Sequence, residues 1–182
     1  MEILFIGLIL ALKFLLPVVT IFMPFAGGWL NFILDSSDGD MLIPLGLAND
    51  TYQPIDKIAD WVTYICMVVL AYRSKWPFKK LILGLFLFRS IGQILFLTTH
   101  NELFLFFFPN FLEPLVLVTA TIMFVQRVFK KKKDWFKRTF VVIHEHRFAV
   151  IAGVFIYKMQ DEFFTHVSNT DRTEFIQKLF GG

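Results

Sequence analysis

The chain has 182 residues, 56% of them hydrophobic and 18% charged, with a formal net charge of +3 and a mean hydropathy of +0.62. A soluble domain averages about 45–50% apolar and about 25% charged; the excess here sits in long unbroken runs, which excludes disordered, collagen-like and disulfide-scaffold classes. Cys66 is the only cysteine, so no internal disulfide can form. The basic balance reads as membrane topology rather than nucleic-acid affinity, because no groove-reading motif accompanies it.

A spanning helix needs about 20 mostly apolar residues, and backbone in lipid has to satisfy its own hydrogen bonds as helix. Four stretches meet that need: one within Ile3–Leu34, then Ile58–Tyr72, Leu81–Thr98 and Leu103–Val125. The first is too long for one straight rod. It contains Lys13, Pro17, Pro24 and Gly27–Gly28, which predicts a kinked helix followed by a short re-entrant or interfacial piece. A cleaved signal peptide fits poorly, since no basic n-region precedes the run and Glu2 has the wrong sign. The second stretch is short, and begins near Asp56 if its first turn lies at headgroup level. Further on, the apolar run Phe148–Tyr157 is too short to span and is bounded by Arg147 and Lys158. It predicts a cytoplasmic or interfacial helix, with a fifth short span as the alternative. The expected fold is therefore an all-α polytopic bundle of four transmembrane helices, or five. Residues 1–126 form the bundle, with an acidic loop at 35–57, and 127–182 a basic juxtamembrane segment and tail.

Orientation follows the Lys/Arg bias. Arg73, Lys75, Lys79 and Lys80 follow the second stretch without an acid. Arg127, Lys130, Lys131, Lys132, Lys133, Lys137 and Arg138 follow the fourth with one acid, Asp134. The connection between the first two stretches holds six Asp and only Lys57, and the turn at His100-Asn101-Glu102 has no Lys or Arg. Both basic segments, and with them the C-terminal tail, are expected to face the cytoplasm of a bacterial-type plasma membrane or its equivalent in an organellar inner membrane. Lys130, Lys131, Lys132 and Lys133 are candidate contacts for anionic lipid head groups, although a stop-transfer cluster explains them equally well.

Two sets of polar residues can carry chemistry. Asp56 and Asp60 are four apart and share one helix face, while Asp35 and Asp38, with Gly39 permitting a sharp turn, form a second pair. Four carboxylates suit a hard divalent cation, Mg²⁺, Mn²⁺ or Ca²⁺; a solvated acidic loop is the alternative. The spacing Asp35-x2-Asp38-Gly39…Asp56-x3-Asp60 resembles the signature of the CDP-alcohol phosphotransferases, and IDKIAD opening a membrane helix looks like its end. The resemblance implies that the four Asp hold divalent metals and that Asp60 is the catalytic base activating an acceptor alcohol against a CDP-linked substrate, the metals neutralising the pyrophosphate.

The second set lies at mid-membrane. Counted outward from the His100-Asn101 turn, Arg89 and Glu113 fall at nearly equal depth in an antiparallel hairpin, so they are expected to pair; Gln93, one turn from Arg89, extends the polar face. A clamp fixing helix packing and a functional intramembrane site both fit that pair. The chain is accordingly expected to be a small membrane protein acting as a non-catalytic subunit, scaffold or permeation element. The alternatives are a divalent-metal phosphotransferase-like enzyme and an ion-binding transporter or channel subunit, the last requiring a homo- or hetero-oligomer.

Overall fold

The structure, a computed structural model, describes residues 2–130 and 133–166, and every regular element among them is helical. Helix α1 runs Glu2–Phe22 and α2 Pro24–Asp35. The break expected in this run falls at Met23, while Pro17 is accommodated inside α1. Pro24 opens α2, where its missing N–H leaves no extra bond unmade. Gly27 then lies against Thr20 and Asp35 reaches Lys13, so α2 folds back along α1 as a tight helical hairpin.

The stretch expected as an acidic loop is largely helical. Asp38–Leu42 form the short α3, and α4 extends over Asn49–Arg73, nine residues upstream of the expected span at Ile58. Asp38 and Asp40 occupy the first turn of α3 and Asp50 that of α4. Carboxylates there meet the positive end of the helix dipole, which explains why so acidic a segment coils. Helix α5, Lys79–Thr99, contains the third expected span and extends it slightly at both ends.

The fourth expected span, Leu103–Val125, is not one rod. It divides into α6, Leu103–Phe107, and α7, Leu112–Phe124, which continues as a π-helical turn over Val125–Phe129. Pro109 disfavours helical backbone at Phe108, which sits at φ −119°, ψ 63°. The last two helices, α8 over Trp135–Glu145 and α9 over Arg147–His166, meet at a bend of 76°. Helix α9 packs on α6 and α7. The apolar run Phe148–Tyr157 thus belongs to a longer helix that joins the bundle.

Three helical segments, Glu2–Phe22, Lys79–Thr99 and Leu112–Phe129, are long and apolar enough to cross a membrane, and the bent α8–α9 pair makes a fourth if it is one broken span. Helix α4 falls outside that set because Asp50, Asp56, Lys57 and Asp60 occupy its first half. Its second half supplies Tyr64, Met67 and Leu70 to a core completed by Trp76, Ile82, Leu112 and Val116. On the outside, Ile3 and Leu4 of α1 are 86% and 75% exposed, an apolar surface of the kind that otherwise marks an interaction site.

A Cβ at Gly27 would lie 2.6 Å from the Thr20 backbone nitrogen, whereas one at Gly84 would meet nothing within 4 Å. Gly27→Ala should therefore cost about 1–3 kcal/mol of stability through overpacking, and Gly84→Ala should cost none. Thermal melts in detergent compare the two variants; equal melting temperatures would contradict the hairpin.

Candidate functional site

Lys13 is 3% exposed near the middle of α1. A lone ammonium there is expensive unless paired, and three carboxylates meet it. Its Nζ donates to Asp35 Oδ1 at 3.0 Å, to Asp56 Oδ1 at 2.5 Å and to Asp38 Oδ2. The three acids come from the end of α2, the start of α3 and the first half of α4, so folding the α1–α2 hairpin against α4 assembles the cluster. Tyr52 closes it, its hydroxyl donating to Asp38 Oδ1 at 2.8 Å. Burial pushes the Asp38 carboxyl up from its ordinary value against the pull of Lys13. It likewise pushes the Tyr52 phenol up, with Asp56 adding to the effect, so Tyr52 keeps its proton and remains a donor.

The carboxylate oxygens of Asp35, Asp38 and Asp56 lie within 4.8 Å of one another, and this triad could hold a metal ion. Lys13 Nζ, however, stands where such an ion would make the same three contacts. Asp60 lies apart from the triad. Its Oδ2 is 3.7 Å from Lys57 Nζ and accepts from Gln93 Nε2 at 3.4 Å. Lys57 also donates to Asp56 Oδ2 at 2.6 Å, and so bridges the two acids of α4.

A second buried cluster surrounds the break between α6 and α7. The break strips carbonyls of their helical partners, and Arg89 replaces them, its Nη1 donating at 2.9 Å to both Leu105 O and Phe108 O. Gly92, one turn from Arg89, lets Phe108 approach α5 where a Cβ would collide with it. Arg89 Nη1 also stands 3.4 Å from Glu162 Oε1 of α9, an acid that the depth count along the hairpin did not bring into view. The chain between Phe107 and Leu112 is not helical, so that count does not run along an unbroken rod.

Glu113 meets Asn110, with Asn110 Nδ2 donating to Glu113 Oε2 at 3.2 Å and to the Tyr64 hydroxyl at 3.0 Å. The backbone N–H of Asn110 donates to Glu162 Oε1 at 3.1 Å. Lys158 pairs with Asp161 at 2.5 Å and with Glu162 at 3.4 Å. Gln93 of α5 donates to Asp60 of α4, the acid that Lys57 connects to Asp56 of the first cluster.

Lys13, Tyr52, Lys57, Lys158 and Glu162 were missed as site residues. Lys13 had a signal, since a lone cation inside an apolar helix calls for acids and the six Asp were the obvious source. Glu162 had none, because it lies outside the apolar run that drew attention to its helix. Of the candidate lipid contacts, Lys130 and Lys133 are exposed, and Lys131 and Lys132 lie outside the described residues.

No family model, curated protein or solved structure matches this chain.

Double-mutant cycles test the partner of Arg89. Arg89→Gln with Glu162→Gln should show a coupling of about 1–3 kcal/mol, the upper part of the range for groups in contact, and Arg89→Gln with Glu113→Gln a smaller one. The reverse order, read from melts of the four proteins in each cycle, would restore the hairpin pairing.

Proposed function

We propose that the chain is an integral, multi-pass membrane protein with a non-catalytic role, a subunit or scaffold whose helices are held in place by charges neutralised from within. The observation that carries this reading is the position of Lys13, whose ammonium touches Asp35, Asp38 and Asp56 together and so takes the contacts of a bound cation. The same residues give the α1–α2 hairpin and α4 a single registration, since sliding either would strand a charge. A buried ion pair is weak evidence for stability by itself, but removing one partner leaves the others uncompensated. The apolar exterior of α1 and the interior location of the charges support the membrane placement.

A second reading, a divalent-metal enzyme resembling the CDP-alcohol phosphotransferases, is favoured by the convergence of the triad. It also draws on charge balance: four carboxylates, Asp35, Asp38, Asp56 and Asp60, face two ammonium groups, Lys13 and Lys57, leaving −2 among these six. Against it, the Ala-Arg of the signature is Leu42-Ile43 in this chain, and its second Gly is Tyr52, whose ring fills the space beside Gly39.

Melting curves across a millimolar titration of Mg²⁺, Mn²⁺ and Ca²⁺ separate the two. The scaffold reading expects a flat response from the native chain. In Lys13→Met it expects a loss of about 3–5 kcal/mol, part of which a divalent cation restores by taking over the triad. Saturable stabilisation of the native chain by one of these ions would contradict it. The enzyme reading expects that stabilisation, together with metal-dependent transfer from a CDP-linked lipid that disappears in Asp60→Asn.

A further inference from the structure

Far from both charge clusters, at the end of the bundle where the basic segments gather, a cavity of about 380 Å³ opens between the α1–α2 hinge, the π-helical end of α7 and α8. Its walls are almost wholly apolar. Phe25 and Phe124 stack at 4.1 Å between ring centroids to form one side, and Trp135 and Phe136 contribute the α8 side. Among the described residues no acid lines it, and the formal charge in the lining is Arg127, which lies over the Trp135 ring at 5.6 Å; Arg73 stacks on Phe22 of the lining at 4.7 Å. One guanidinium thus lines the apolar space, and a second, from another helix, packs on a ring of its wall.

We infer that this cavity is a binding site for one anionic phospholipid, an acyl chain lying in the apolar hollow and the head-group phosphate facing Arg127. Charge complementarity selects the occupant. A zwitterionic lipid would bring its own cation to a space whose described lining offers no acid to receive it, whereas an anionic lipid brings a phosphate to which a planar guanidinium can donate two parallel bonds. Tryptophan at such a rim suits headgroup depth, where its ring is half apolar and half wet. Arg127 lies in the π-helical turn Val125–Phe129 that ends α7; turns of that kind recur at functional sites. The site is separate from the exposed Lys130 and Lys133, which do not line the cavity.

This inference rests on the membrane placement and is independent of the Lys13 cluster. The test uses the full chain in nanodiscs of phosphatidylcholine, alone or with phosphatidylglycerol, followed by native mass spectrometry of retained lipid. One phosphatidylglycerol per chain should persist through detergent exchange. Arg127→Gln should weaken its retention about fivefold, one cation's contribution near the surface, about 1 kcal/mol, converted to an affinity ratio. Ala26→Leu, which fills part of the hollow and changes no charge, should weaken it as well, and Lys130→Gln with Lys133→Gln should leave it unchanged. Equal retention of both lipids, or equal losses from every neutralised cation with none from Ala26→Leu, would overturn the site. Inorganic phosphate displacing the lipid completely would show that the head group alone is read and would overturn the acyl-chain part. Failure of the chain to enter nanodiscs at all would instead remove the membrane placement.

Discussion

A charge taken out of water costs several kcal/mol even after its surroundings relax, and only a close partner of opposite sign offsets it. In this bundle that cost decides which helices meet. Lys13 can be buried in α1 only if acids arrive from elsewhere, and they arrive on the return strand of the hairpin, on α3 and on α4. Arg89 can be buried in α5 only where acceptors gather, and the break between α6 and α7 supplies carbonyls while α9 supplies Glu162. Gln93 ties α5 to α4 through Asp60. Apolar packing among Met67, Leu70, Ile82 and Val116 fills the space between helices, but it would tolerate more than one registration. The polar contacts admit one.

Much of the helical architecture was legible from hydropathy, because a run of about 20 apolar residues has few other solutions. The third stretch matched α5 to within two residues, and the punctuation around Pro24 marked the hinge to within one. Legibility failed where helices end for reasons other than loss of hydrophobicity. Residues 103–125 are mostly apolar despite Asn110 and Glu113, so their mean hydropathy does not announce the irregular segment; Pro109 and Asn110 do, through backbone chemistry that a hydropathy ruler ignores. Conversely, the acidic residues between the first two stretches looked like loop and are largely helix, because acids at helix N-termini are stabilised rather than excluded.

Site residues were legible in proportion to how local their partners are. The approach of Asp56 and Asp60 along one face follows from helical spacing alone. The convergence of Asp35, Asp38 and Asp56 on Lys13 joins residues 22, 25 and 43 positions apart, and depends on α2 doubling back. The pairing of Arg89 with Glu162 depends on α9 returning to the bundle across a 76° bend. A charged residue in an apolar run states that a partner exists without saying which one; the structure brings Lys13 to a triad of acids that could also hold a metal ion, and brings Glu162 to the arginine, each from a distant segment.

The central claim, that an internal ammonium occupies the centre of the triad, is tested most directly by an experimental structure of the lipid-embedded protein in millimolar Mn²⁺, with anomalous scattering recorded at the manganese edge. The account predicts no anomalous peak among Asp35, Asp38 and Asp56, and continuous side-chain density for Lys13 ending between them. A manganese peak bound by those three carboxylates, with Lys13 turned away, would contradict it.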